Sequence, residues 1–199
     1  MPKDVATSAP KISGLEALLK GQAVTGPAPV ERWNPPYCGD IGLEILRDGT
    51  WLYQKSPIGR KPLVQLFARV LRKDDDGRTY LVTPAEKVDV KVADAHFLAV
   101  EMEVRDPGEG QVLVFRTNVD DIVTCDAAHP LRFINEPQSG GLKPYLRVRG
   151  RLDALLTRAL YQDLVALAVP APQNTDNIGV WSSGVFFALE ALPHAIEPA

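Results

Sequence analysis

Read for its turns and periodicities, the chain runs strand, strand, helix, strand, strand, and then repeats that order. In the first round, residues 41–47 and 50–54 read as a hairpin around Asp48-Gly49, a pair that tolerates the positive φ angles of a type I′ turn. Pro62 suits the first turn of a helix, where its missing N–H costs nothing. Leu63, Leu66, Phe67, Val70 and Leu71 then recur at helical spacing, and "KDDDG" ends the helix. Residues 80–83 and 87–92 close the round as strands. In the second round, strands over 131–134 and 145–149 flank a Gly140-Gly141 turn. A helical region over 152–168 follows, and "GVWSSGVFFAL" makes a terminal hairpin. "KPLVQLF" faces "RALYQDL", and "LVTPAEKVDV" faces "VWSSGVFFAL". Between the rounds, residues 97–104 and 112–117 read as strands, joined through Asp106-Pro107-Gly108. Leu98, Val100, Met102 and Val104 alternate there with Ala99, Glu101 and Glu103, a half-buried antiparallel pattern. The expected fold is therefore α+β. It has two small, related domains of antiparallel sheet, roll-like or barrel-like, each with a helix.

Composition sets the outer limits. A hydrophobic content of 45% supports a real core in 199 residues, and 24% charged residues supports a wet surface. Net charge is 22 − 25 = −3, so no global positive field favours nucleic acid. No apolar run approaches the ~18–20 residues of a membrane span. "MPKDVATSAPKISG" lacks the apolar core of a secretory signal, and two cysteines make no disulfide framework. A reducing cytoplasm is the expected compartment. Residues 1–30 read as a tail with a short helix, opened by the capping box Ser13-x-x-Glu16 and ending near Gly21. Residues 31–94 form the expected first domain, 95–193 the second, and 194–199 a tail. The stretch from Gly21 to Pro36 is an extended arm, rich in proline.

Several motifs appear in a fixed order: "WNPPYCGD", "DGTWLYQKSPIGRKPLV", "DGRTYLVTPAEKV", "FRTNVDDIVT", "HPLRF", "KPYLRVRG" and "GVWSSGVFF". In these the chain resembles the bacterial family known as domain of unknown function 1285, from about Trp33 to Leu189. The resemblance implies two related small α+β domains with repeated motifs, and a binding or signalling role; it brings no established reaction.

Cys38 has no nearby cation, metal or helix N-terminus to lower its pKa, and Asp40 would raise it. Its plainer reading is a small buried residue in a corner, and a wall of a pocket beside Asp40. Cys125-x-x-x-His129 could be half a metal site, completed by Cys38 and His96 or His194. Structural zinc, however, usually shows two closely spaced ligand pairs. No metal and no cofactor is expected. Asn118, Asp120 and Asp121 follow a strand, where loops carry function, yet such residues also build their own turns. Adjacent carboxylates on an extended segment point opposite ways, which makes Asp120 and Asp121 a poor acid–base pair. Arg60 and Lys61 precede a helix N-terminus, a setting suited to an anion, and Lys143 sits in a comparable Gly-x-Lys-Pro setting. Trp181 in the terminal hairpin completes the candidate ligand contacts.

No P-loop, dinucleotide fingerprint, zincin motif or nucleophile elbow is present. The leading expectation is a non-catalytic ligand-binding or signalling module, with a small anionic molecule held between its domains by Arg60, Lys61 and Lys143. One alternative is a hydrolase or thiol enzyme using Cys38 with His129 as base and Asp120 or Asp121 as orienter. Another is a protein-interaction scaffold, whose proline-rich arm would pack on a partner chain or a second copy.

Overall fold

The computed structural model describes residues 27–108, 110–136, 140–172 and 177–190. The helix expected near residues 13–21 and the tail carrying His194 lie outside them. Two compact units emerge among the described residues. One holds 27–44 with 51–91, and the other holds 45–50 with the residues from 92 onward.

The first unit is one sheet and one helix. Strands β1 (Tyr37–Ile45), β2 (Trp51–Tyr53) and β3 (Ser56–Pro57) precede helix α1 (Lys61–Arg69). Strands β4 (Leu71–Lys73), β5 (Thr79–Val82) and β6 (Lys87–Val92) follow it. Their order in the sheet is β3-β2-β1-β6-β5-β4. Apolar residues at every second position of β1 turn Ile41, Leu43 and Ile45 inward. The α1 stripe buries Phe67 against Trp51, with ring centroids 6.0 Å apart. The Lys87 N–H donates to Pro36 O at 3.0 Å and the Ala93 N–H to Ile45 O at 2.9 Å, so β6 runs in the same direction as β1. β1 uses more residues than β6 over that stretch. The excess fits at Gly39 and Gly42, whose φ angles of +89° and +81° mark bulges.

The second unit starts with β7 (Phe97–Arg105), β8 (Val112–Thr117), β9 (Ile122–Thr124), β10 (Leu131–Asn135), β11 (Leu142–Arg149) and β12 (Leu152–Leu156). These form a sheet of order β10-β11-β12-β7-β8-β9. Helix α2 (Arg158–Ala166) leads on to β13 (Val169–Pro170), β14 (Ile178–Ser182) and β15 (Val185–Ala188), a third, antiparallel sheet. Phe97, Leu113, Phe115, Phe133, Leu146 and Leu164 fill the core. β12 pairs in parallel with β7, placing Ala154 opposite Phe97. Read from its other edge, this sheet repeats the strand order of the first one, six strands later. Two related α+β units are therefore present. Each six-stranded sheet is mixed, because its first and last strands meet side by side in the same direction.

Three local expectations change. The Asp48-Gly49 turn is not type I′, because only Gly49 takes positive φ, at +78°. Its N–H bonds Leu46 O at 3.0 Å and the Leu46 N–H bonds Thr50 O, giving a type I turn closed by a glycine bulge. The two-residue primed turn falls instead at Gln54 and Lys55, φ 47° and 66°, between β2 and β3. Residues 152–156 are strand rather than helix, since Leu152, Ala154 and Leu156 alternate into the core beside β7. "KDDDG" turns a hairpin between β4 and β5, as α1 already ends at Arg69.

The proline-rich arm also departs from expectation: its described part packs on its own unit. Val30 is buried in a 3-10 turn, Val30–Arg32, and the Ala28 N–H donates to Arg69 O at 3.1 Å. The buried Arg72 guanidinium donates to Val30 O at 2.7 Å and Trp33 O at 2.8 Å, and pairs with Asp74. Among the described residues, no helix is long and apolar enough to cross a membrane.

Candidate functional site

The second unit holds a pocket of about 630 Å³, in the range usual for small-molecule sites. Its described lining is Gly108, Gln111, Leu167, Val169, Trp181 and Gly184, none of them charged. The β14–β15 hairpin supplies the aromatic wall. Ser183 and Gly184, at φ 52° and 74°, make its two-residue turn, a task suited to glycine at the second position. Trp181 lies opposite Phe186 in the ladder, and their rings meet edge-to-face with centroids 5.3 Å apart. Gly179 sits two residues before Trp181, on the same strand face. A Cβ there would stand 2.5 Å from Phe186 Cζ and 2.4 Å from Phe187 O, so glycine is required for this close approach.

Hydrogen bonds fix the hairpin to the second sheet. Ser182, fully buried, accepts from the Leu113 N–H at 2.9 Å and donates to Cys125 O at 2.6 Å. Ser183 Oγ donates to the same carbonyl at 2.9 Å. Gln111 Nε2 donates to Trp181 O at 2.8 Å, while the Ser183 N–H donates to Gln111 O. These bonds hold the backbone from Trp181 to Ser183, which keeps the indole wall from drifting.

The other sequence candidates lie elsewhere. In the first unit Cys38 is exposed rather than a buried corner residue, because the core pattern of β1 begins only at Ile41. Its thiol lies 3.6 Å from Pro36 O. Asp40 pairs with Lys91 at 2.8 Å and accepts from the Gly42 N–H at 2.7 Å; these bonds, Lys91 foremost, hold its carboxyl below the ordinary value. Arg60 is the exposed N-cap of α1 and makes no side-chain cap, and the exposed Lys61 begins the helix.

In the second unit Asn118 extends the β7–β8 ladder. Its N–H donates to Leu98 O at 2.8 Å and its Oδ1 accepts from the Leu98 N–H at 3.0 Å. Asp120, in a left-handed conformation at φ 68°, pairs with Arg116, whereas Asp121 pairs with Arg149 at 2.6 Å. His129 belongs to a turn built by Asp126, whose Oδ1 accepts from the N–H groups of Ala128 and His129 and lies 3.1 Å from His129 Nδ1. The imidazole is thus held by Asp126, not by Asp120 or Asp121. Lys143 is held by Asp94 at 2.8 Å and Glu136 at 3.0 Å, with the Tyr145 hydroxyl on Asp94 at 2.6 Å. Burial opposes ionisation of Asp94, but the bonds from Lys143 and Tyr145 outweigh it and lower its pKa.

Cys125 is buried, and desolvation pushes its thiol up to about 12. His96 Nδ1 accepts from the Asp153 N–H at 3.2 Å. Among the described residues no group of three or more His, Cys, Asp and Glu side chains gathers as a metal site. Trp181 is therefore the one sequence candidate found on the described lining of the pocket, and Gln111 beside it carries no signal in the sequence.

The fold defines a class of two-unit α+β protein in which a mixed six-stranded sheet occurs twice with one strand order. The chain belongs to the DUF1285 family. Residues 28–95 match "Domain of unknown function (DUF1285), N-terminal domain", and residues 96–189 match "Protein of unknown function (DUF1285), C-terminal domain". Among solved structures, it is similar to a DUF1285 family protein from Silicibacter pomeroyi DSS-3. Identity is 43% and the TM-score 0.81, over 90% of this chain and 96% of that one. A second similar structure is a DUF1285 family protein from Shewanella baltica OS155. Identity there is 27% and the TM-score 0.50, over 63% of this chain and 91% of that one. A search of the curated proteins finds no match.

Proposed function

We propose that the chain is a small-molecule binding module whose site is the Trp181 pocket of the second unit, and that its ligand is uncharged. The observation that carries this reading is the aromatic-walled pocket with no charged side chain on its described lining. A charged ligand entering there would shed its hydration with no ion pair in return, a penalty that selects for neutral molecules. The ion pairs support the same choice. Lys143 is engaged by Asp94 and Glu136, and Asp121 by Arg149, so an anion would have to compete with carboxylates already in place.

Thermal-shift screening of neutral ring compounds and anionic metabolites tests the proposal. Stabilisation by neutral rings, lost in Trp181→Ala, is the expected outcome. A response confined to anions, or one that survives Trp181→Ala, would overturn it.

A further inference from the structure

Gln111 does two things at the pocket wall. Its Nε2 donates to the carbonyl of Trp181, and a carbonyl can only accept, so this bond fixes which way the amide faces. Its Oε1 then stands as an acceptor with no hydrogen bond to the described residues, and the indole N–H of Trp181 likewise has none. One acceptor and one donor are thus carried by two side chains lining a single pocket whose other described walls are aliphatic carbon and glycine. Gly108 and Gly184 face open space, since a Cβ on either would meet nothing within 4 Å.

Resting on the reading of this pocket as a ligand site, we infer that Gln111 is its specificity-determining residue and that the ligand class is a planar, uncharged lactam-type ring. Such a ring carries an N–H beside a C=O. The N–H matches Gln111 Oε1, the C=O matches an N–H donor such as the Trp181 indole, and the flat apolar body suits the Trp181 wall. A ring with no N–H leaves the amide oxygen desolvated and unpaired, which is the source of discrimination. Gln111 also holds the wall it recognises against, because the bond that orients its amide is the bond to Trp181 O.

The test compares 2-quinolone with 1-methyl-2-quinolone on the full chain, by isothermal titration and saturation-transfer NMR. The native protein should bind the parent lactam at least about tenfold more tightly than its N-methyl form. In Gln111→Met that preference should collapse to about twofold or less, chiefly through weaker binding of the parent. The comparison on native protein needs no variant and stays decisive if Gln111→Met folds poorly. Equal binding of the two lactams, or a preference that persists in Gln111→Met, would overturn the inference. Binding of naphthalene but of neither lactam would also overturn it, while leaving the pocket itself standing. Binding of none of the three would remove both.

Discussion

Set side by side, the two six-stranded sheets share a strand order and differ in what joins the strands. In the first, the third and fourth strands are linked by α1; in the second, the same link is the Asp126–His129 turn. The second sheet's helix comes only after its sixth strand and leads into β13–β15, which have no counterpart in the first unit. The helices differ as well. α1 begins at Arg60 with no side-chain cap, whereas α2 begins at Thr157, whose hydroxyl accepts from the Leu160 N–H. The difference teaches that hairpins and one parallel closure suffice to define this sheet. A helix can be moved along the chain without disturbing it. The candidate pocket is built from the end of α2, the third sheet and the β7–β8 turn, which is to say mainly from what was not repeated.

The largest test of that equivalence lies in the cores. Trp51→Ala in the first unit and Phe115→Ala in the second each remove a fully buried aromatic and should cost about 3–5 kcal/mol by urea titration. A cost under about 1 kcal/mol at either position would break the parallel between the sheets.

The links come next. Asp126→Ala removes the acceptor of three hydrogen bonds and should cost about 1–2 kcal/mol. Arg60→Ala, at the opposite end of the comparison, should cost close to nothing, because Arg60 caps nothing with its side chain. Between the helices, Thr157→Ala should lose about 1 kcal/mol, whereas Arg60→Ser should gain a few tenths by supplying the cap that α1 lacks. Equal responses at the two helix starts would show that capping is not what distinguishes them.

The smallest effect is a pH dependence. Asp94 has a lower pKa folded than its ordinary 3.8, so the unfolded chain binds its proton more readily. Its stabilisation is present above that ordinary value and fades as pH falls through the lower folded one. Lys143→Met should therefore flatten the acid limb of a stability profile below about pH 4. Lys91→Met in the first unit should leave that limb almost unchanged, because the Asp40–Lys91 pair is largely in water.

What was legible in the sequence follows from how local its cause is. β6 and β8 match the expected spans residue for residue, and the terminal hairpin announces itself through Ser183-Gly184. β12 hid because Leu152, Ala154, Leu155 and Leu156 are strong helix formers; only pairing with the distant β7 makes them strand. β4 and β9, with three residues each, are too short to show a period. The Gln54-Lys55 turn carries no glycine, so its positive φ angles come from the two-residue connection it must make. In the pocket, Trp181 stood out as an aromatic in a hairpin. Gln111 did not, since its role depends on a carbonyl 70 residues away in the chain. The one local hint was Gly179, a glycine inside a strand, which marks a close approach. The charged candidates are visible as charges, but the partners Asp94 of Lys143 and Arg149 of Asp121 are remote from them in sequence.

The parallel closures described above also set the order in which this chain can fold. Phe97 meets Ala154, and Pro36 meets Lys87, across the whole span of hairpins between them. Such contacts reward the chain late, after the entropy of a long loop has been surrendered. The three-stranded meanders are then early, local events, and the seam between the first and last strand is the slow step of each sheet. Substitutions that loosen the seam between β7 and β12 would consequently register in the folding rate, as positions whose contacts are being made at the barrier.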